Sequence, residues 1–515
     1  MDHFGIVSII PPILAILLAL TTKNIIVSLF FGLYFGAIVL AGWNPVAAFA
    51  NLIPDFIYEQ VASDSNMQSI TNLLIIGGFV ALIGASGGAA AFAKVAQKWV
   101  KKKRTAETSM WLAGLFVWFT DSGNSLLVGP IFQPIAEKFR VSREKFAYIL
   151  DATSSPICAL VPIISWGVYI MGLLDTEMEN LASMSFGSSW ELFISAMPYQ
   201  FYNILTLLMV GFICMTQFDY GPMLKAQRRA LGGKTIRDGG IPMRSTVEIE
   251  LPEGVEPKAI SVLLPLAVML TTMFTIFFIN GFPKETISGV VIRQGIALGF
   301  ILGALVASII DIKLGIFKPK QIESKIFDGM KDMMFLIVMM VFSWSLGSVC
   351  SQLGTAYYIL EVTEGFLEPA VLPAILFVIG SCMSLATGSS WGTFAILIPI
   401  GFPIAAIMGT PLEVTIAAII SGGVFGDHCS PISDTTMLAS MGAACDHIDH
   451  FRTQFPYAMT VAVVSFVLYL IAGYLEKAWI VIIGALGLFA IITVVHKITV
   501  KRHADLEMDM YENIQ

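Results

Sequence analysis

What most constrains this chain is a succession of apolar runs, each close to the ~20 residues that cross a bilayer as one helix. They occupy residues 5–22, 24–42, 69–93, 146–174, 190–216, 258–281, 288–311, 333–352, 412–443, 456–475 and 478–497. The chain has too little charge to clothe itself in water. Only 13% of its 515 residues are charged, against about 25% in soluble domains. That excludes an ordinary soluble enzyme, a disordered chain and, with no basic surface of domain size, a nucleic-acid partner. The partner is the lipid bilayer, and 44 glycines suit helices packed closely within it. Six scattered cysteines without a CxxC point to neither a disulfide framework nor a metal site. The N-terminal MDHFGIVSIIPPILA lacks the basic region of a cleaved leader, so its first run is expected to be retained.

Basic loops set the orientation, because Lys and Arg stay on the cytoplasmic side. Lys101, Lys102, Lys103 and Arg104 follow the third run, and Lys138, Arg140, Arg143 and Lys145 precede the fourth. Lys225, Arg228, Arg229, Lys234 and Arg237 fill the central loop, and Lys313, Lys318, Lys320, Lys325 and Lys331 follow the seventh run. Loops 43–66 and 175–189 carry acids but no Lys or Arg, and are expected outside. Two further apolar stretches, 107–136 and 370–408, are too long for one helix. Each begins and ends on its own side, which predicts two opposed re-entrant hairpins.

The two halves also resemble each other. LLIIGGFVALIGASGG (73–88) reads like FLIVMMVFSWSLGSVC (335–350). GNSLLVGPIFQPIAEKF (123–139) aligns with GTFAILIPIGFPIAAIM (392–408), pairing Pro130 with Pro399 and Pro134 with Pro403. DATSSPI (151–157) recurs as DHCSPIS (427–433), and an amphipathic stretch precedes each matching span, at 44–60 and 320–333. With the loop charges, matching elements cross in opposite directions. The expected fold is therefore an all-α polytopic membrane protein of two inverted-topology repeats with broken helices and two opposed re-entrant hairpins, about 11 spans in addition. The repeats would occupy 1–216 and 258–476, with a cytoplasmic linker at 217–257, an extra span at 477–497 and a loose cytoplasmic tail at 498–515.

Ionisable groups are costly in lipid, so each such residue is a candidate for function. They cluster at corresponding breaks. TDSGNS (120–125) and TGSSWGT (387–393) mark the hairpin tips, DATSSP (151–156) the fourth span, and GDHCSPISDTT (426–436) the ninth. Gly and Pro free backbone carbonyls, Ser and Thr add hydroxyls, and Asp adds charge. Together these are the oxygen ligands that a hard cation such as Na+ requires. The candidate cation and proton ligands are Asp427, Asp434, Asp151, Asp121, Ser430, Ser155, Ser154 and Thr153. Na+ is placed at Asp427, Asp434 and Ser389. Tip residues Ser122, Asn124, Ser125, Thr387, Ser389, Ser390 and Thr393 would close over the site. No cofactor is implied; Na+ and H+ are the transported ions. A carboxylate that holds either one is the minimum for cation/proton exchange. Asp121 and Asp151 could instead cap helices. His428 could ligate, relay protons or bond a carbonyl. Asp446, His447, Asp449 and His450 read as a solvated helix end, and Trp166 and Trp391 as packing aromatics.

GDHCSPISDTTMLASMGAACDHIDH and FTDSGNSLLVGPIFQPIAEKF…DATSSPICALVPIISWG resemble the NhaC family of Na+/H+ antiporters, over about residues 70–475. The resemblance implies Na+/H+ exchange across a bacterial cytoplasmic (inner) membrane, re-entrant hairpins whose tips carry the cation, and often a homodimer. The family also has a malate/lactate branch, so an organic solute is the alternative cargo. No Lys or Arg falls within the four clusters, which favours the inorganic cation over a carboxylate solute. An intramembrane enzyme built on GASG (84–87) and a channel are weaker rivals, because small residues at that spacing are ordinary helix-packing surface.

Overall fold

The computed structural model describes residues 3–512, leaving out 89–90, 92–99, 122–123, 182–183, 185–186, 244–255, 283–286 and 364–366. The described residues are helical with no strand, and ten helices are long and apolar enough to cross a membrane, or up to 11 with one bent pair. The chain is a multi-pass membrane protein.

Two helix pairs open the two halves. Helix α1 (Ile10–Thr22) packs on α2 (Ile25–Leu40), which the Asn24 side chain caps by accepting the amide of Val27. The bent helix α3 (Pro45–Ala62) then turns 116° away from α2 and leads into α4 (Asp64–Ala85). In the second half α13 (Ile260–Ile279) packs on α14 (Gly289–Lys313), followed by the amphipathic α15 (Pro319–Asp332) and α16 (Met334–Gln352). Glycines at four-residue spacing let the backbones approach. Gly32 and Gly36 of α2 lie against Pro11 of α1 and against Leu346 and Val349 of α16. Gly299 and Gly303 of α14 lie against Met269 of α13 and Phe79 of α4. The opposite face of α14 carries exposed Leu298, Leu302, Leu305 and Ile309, a ridge suited only to lipid. Gly77 of α4 and Gly329 of α15 meet backbone to backbone, leaving no room for a Cβ on either.

Helix–turn–helix units lie at both predicted places, and each arm of the second is itself long and apolar enough to cross a membrane. In the first, α5 (Lys103–Phe116) is followed by a π-helical turn at Asn124–Val128 and α6 (Gly129–Lys138). In the second, α18 (Leu372–Thr387) reverses at Gly388, where φ is +69°, into α19 (Ser390–Met408). Gly380 opposes Leu397 and Gly401 opposes Leu376, so the two arms are antiparallel. Their 16 and 19 residues make arms of about 24–29 Å. Pro399 cannot donate to the carbonyl of Ala395; the hydroxyl of Ser343 on α16 donates to it instead.

After each hairpin comes a broken helix. The first runs α7 (Arg143–Ala152), α8 (Ser155–Cys158) and α9 (Ser165–Asn180); α10 (Ser189–Ala196) and α11 (Phe201–Thr216) complete that half. A helix of the central linker, α12 (Gly221–Leu231), follows. In the second half α17 (Thr355–Thr363) precedes the hairpin. Then come α20 (Leu412–His428), α21 (Asp434–Gly442), α22 (His447–Leu475) and α23 (Ile480–Glu512).

Three local features add to these expectations. The tail expected to be loose continues α23 as helix to Glu512. The central linker is docked: Arg229 pairs with Glu144 at 2.8 Å and Arg237 with Asp449 at 2.8 Å, while the amide of Met243 donates to the carbonyl of Cys445. Lys145, expected in a basic loop, is fully buried between Glu107 at 2.9 Å and Asp219 at 2.8 Å. A lysine can be buried when two carboxylates neutralise it, and this one pins the start of α7 to α5 and to the end of α11.

Candidate functional site

Each broken helix stops at a Ser-Pro step. Pro156 and Pro431 lack the amide that would pair with the carbonyl four residues earlier, so α7 ends at Ala152 and α20 at His428. Each hairpin turn seats on the break of its own half. At the first, Asn124 Nδ2 donates to the carbonyl of Leu150 at 2.9 Å and to Thr153 Oγ1 at 2.6 Å, and the Ser154 hydroxyl donates to the carbonyl of Asp121. At the second, Ser384 Oγ donates to the carbonyl of Gly423 at 2.6 Å and Ser430 Oγ to that of Leu385 at 2.9 Å. Ser390 Oγ lies 3.0 Å from Asp427 Oδ2 and 3.2 Å from the Gly423 carbonyl. The halves then interlock, because Gly442 of α21 packs on the backbone of Ser125 and on Gly129.

Between the breaks lies a buried polar cluster. Asp151 and Asp427 are 1% and 3% exposed. Gln454 of α22 joins the two halves: its Nε2 donates to Asp151 Oδ2 at 2.6 Å and to the carbonyl of His428 at 2.5 Å. That carbonyl ends α20 and has no partner within the helix. His450 Nε2 pairs with Gln454 Oε1 at 2.8 Å, and His450 Nδ1 with Ser440 Oγ at 2.8 Å. Tyr202 OH pairs with His428 Nδ1 at 2.7 Å. The Nε2 atoms of His428 and His450 each stand 3.9 Å from Asp151 Oδ2. Around the same breaks Asp151 Oδ1, Asp427 Oδ1, Asn124 Oδ1, Ser155 Oγ, Thr436 Oγ1 and His428 Nε2 are buried without a hydrogen-bond partner. Unsatisfied buried atoms are scarce in native proteins, and five of these six are oxygens, the atoms a hard cation takes.

Four of the other predicted residues face a cavity of about 1090 Å³. Asp121, Thr387, Ser389 and Asp434 line it, together with Trp391, Lys23 and Lys325. Asp434 begins α21 and its Oδ1 accepts the amide of Thr435 at 3.0 Å. Ser389 caps α19 by accepting the amide of Gly392, and Thr393 Oγ1 donates back to the Ser389 carbonyl at 3.0 Å. Trp166 donates from Nε1 to Asp121 Oδ2 at 3.1 Å and meets Trp391 with ring centroids 4.5 Å apart, so the two tryptophans pack where the hairpin turns converge. Ser122 lies outside the described residues.

The helix end at 446–450 is not simply solvated. Asp449 pairs with Arg237, and His450 is fully buried at Asp151. His450, Gln454 and Tyr202 are the site residues that sequence reasoning missed. The cations absent from the four sequence clusters are also supplied to the cavity by other elements, the α1–α2 turn (Lys23) and α15 (Lys325).

A family model described as the Na+/H+ antiporter family matches residues 157–474. An uncharacterised protein of Haemophilus influenzae is 33% identical over 487 residues, 91% of either chain. The malate-2H+/Na+-lactate antiporter of Bacillus subtilis is 31% identical over 219 residues, 40% of this chain and 45% of that one. Among solved structures, the YdaH transporter of Alcanivorax borkumensis superposes with a TM-score of 0.55 at 14% identity, covering 79% of this chain and 87% of the other; that likeness concerns the fold alone.

Proposed function

This chain belongs to the Na+/H+ antiporter family, and from that premise we propose that it exchanges Na+ for H+ across the bacterial cytoplasmic membrane by alternating access. It is a secondary transporter with a helical multi-pass fold. In the finer reading Na+ and protons compete for Asp427, Asp434 and Asp151, with Ser389 adding an oxygen ligand. The observation that carries this reading is the pair Asp151 and Asp427: each sits at a helix break, one in each half, and each is buried with one oxygen unpartnered. A lone buried carboxylate without a cation or a proton is very costly, so each oxygen calls for one or the other.

Asp434 and Ser389 receive the cation from the cavity, and Asp427 and Asp151 hold it once dehydrated. Protons arriving at the same oxygens release it. His428 and His450, at 3.9 Å from Asp151, stand one small movement from hydrogen bonding it and suit a proton relay. The two halves, crossing in opposite senses, would alternate in exposing these carboxylates.

The test is proton movement in proteoliposomes with an imposed pH gradient and an internal pH dye, adding NaCl, LiCl, KCl, malate and lactate in turn. Dissipation by NaCl alone is expected. No response to any inorganic cation would overturn the reading.

One observation supports an organic solute as second cargo. The cavity, about 1090 Å³, is just above the range of small-molecule pockets, roughly 300–1,000 Å³. Lys23 and Lys325, set among Asp121, Asp332 and Asp434 in its lining, are the cations that a carboxylate would meet there. Dissipation that needs malate or lactate would favour this cargo.

A further inference from the structure

A second, smaller cavity of about 30 Å³ lies between α9, α16, α17 and α19, on the side expected to face outward. That is room for one or two water-sized species. Glu177 of α9 lines it, only 1% exposed and with Oε1 unpartnered. The other carboxylate oxygen accepts from Asn180 Nδ2 at 3.5 Å. The carboxylate is accommodated because position 347 is glycine: a Cβ there would overlap Glu177 Oε1. Ser351 and Thr355 add hydroxyls to the lining. Pro399 also lines it, and Pro403 removes the amide that would occupy the Pro399 carbonyl.

Helix ends of both signs border the cavity, the C-terminal turns of α9 (Asn180) and α16 (Cys350, Ser351) and the N-terminal turn of α17 (Thr355, Ala356, Tyr357), so their partial charges oppose one another and the formal charge of the lining comes from Glu177. Among the described residues its lining has no Lys, Arg or His; besides Glu177 its titratable groups are Cys350 and Tyr357. One carboxylate among neutral oxygens suits a single positive charge, whereas Ca²⁺ takes six to eight oxygens and usually several carboxylates. Glu177 is also remote from the main cavity. Ser165, at the start of the same helix, lines that cavity, and the 12 positions between them span about 18 Å.

We propose that Glu177, with the oxygens of Asn180, Ser351, Thr355 and Pro399, forms an outer binding site for one dehydrated monovalent cation of Na+ size, distinct from the Asp151–Asp427 cluster. The cation's identity rests on the exchange reading above; the existence of the site does not.

Two measurements test it. In purified protein, NaCl is compared with N-methylglucamine chloride for thermal stabilisation of wild type, Glu177→Gln, Gly347→Ala and Asp427→Asn. In vesicles of defined orientation, half-saturating Na+ is measured from each face. Two sites predict that Asp427→Asn keeps part of the Na+ stabilisation. Glu177→Gln and Gly347→Ala, eluting as folded protein, should lose another part. Glu177→Gln should raise half-saturating Na+ at the outer face tenfold or more and change the inner face less than twofold. Equal shifts at both faces, no shift, or stabilisation lost entirely in Asp427→Asn and untouched in Glu177→Gln would overturn the site. If wild-type vesicles show no Na+-driven proton movement, the exchange reading fails. Na+ stabilisation that survives in Asp427→Asn and falls in Glu177→Gln would still sustain the site.

Discussion

Gln454→Leu is the sharpest perturbation of the central cluster, because it keeps roughly the same volume while deleting three contacts. Asp151 Oδ2 loses a donor at 2.6 Å, the His428 carbonyl a donor at 2.5 Å, and His450 Nε2 an acceptor at 2.8 Å. All three groups are in buried residues, and no water can replace the amide if the cluster stays dry. A buried polar group left unpaired costs about 1–3 kcal/mol, so three give roughly 3–6 kcal/mol after partial relaxation. An unfolding entropy of about 2.1 cal/mol/K per residue over a chain of this length gives roughly 1 °C per kcal/mol. The expected fall in Tm is therefore about 3–6 °C, and more if the helices keep much of their structure in detergent. A thiol-reactive dye can follow unfolding, since Cys158, Cys214, Cys350, Cys429 and Cys445 are buried and only Cys382 is exposed. Because Gln454 is the bridge between the broken helices of the two halves, exchange in proteoliposomes should fall at least tenfold. A variant that unfolds within 1 °C of wild type and transports at its rate would refute the bridge.

Other outcomes follow from the same contacts. Asp427→Asn and Asp434→Asn should each abolish Na+-driven proton movement while the protein still elutes as a folded species; wild-type rates in either would remove the proposed ligands. Lys145→Ala strands Glu107 and Asp219, which flank it at 2.9 and 2.8 Å, and breaking such a buried pair costs about 3–5 kcal/mol. Tm should fall by several degrees, and recover in part when Glu107→Gln and Asp219→Asn are added. Lys325→Glu reverses a charge in the cavity lining: Na+/H+ exchange should change less than threefold, whereas transport of malate or lactate, if measured, should be lost. At the cytoplasmic end, partial burial opposes the charge of Asp446, but amides of Ile241, Asp449 and Ile448 outweigh it and hold its carboxyl below the ordinary 3.8. A depressed carboxyl stabilises the folded form above its unfolded value and loses that contribution as pH falls through the folded one. Hydrogen exchange across residues 237–243 should thus be slow at neutral pH and lose protection below about pH 4; protection that persists to pH 2 would show that Asp446 does not hold the linker.

Much of this was legible because the bilayer imposes one strong rule. Apolar runs had to be helices, and Gly388, Pro156 and Pro431 marked breaks because glycine and proline act locally. The carboxylates at those breaks stood out for the same reason. The partners of these carboxylates did not. Gln454 and His450 belong to a helix that begins at His447, nine residues before the apolar run starts, and polar residues at a helix start look like a solvated end. Lys145 pairs with residues 38 and 74 positions away, a relation without any local signature. Loop charge placed it near the cytoplasmic face but not inside the protein. Lys23 and Lys325 reach the cavity only through tertiary packing.

The break at 429–433 also answers why two aspartates seven residues apart serve different places. On a regular helix Asp427 and Asp434 would share one face. Instead Asp427 closes the last turn of α20 and is 3% exposed, while Asp434 opens α21 and lines the cavity. Ser389 and Ser390 repeat this division at the facing hairpin turn, the first lining the cavity and the second against Asp427. Two adjacent serines and one helix break thus separate a cavity-lining side from a buried side. The Trp166–Trp391 pair and Tyr169, whose hydroxyl donates to the Trp391 carbonyl at 3.1 Å, join the start of α9 to the cavity lining. If Asp434 takes the cation as proposed, transport to the other face would require the ion to shed water at the serine pair and these aromatic contacts to open, which is the condition that distinguishes a carrier from a channel.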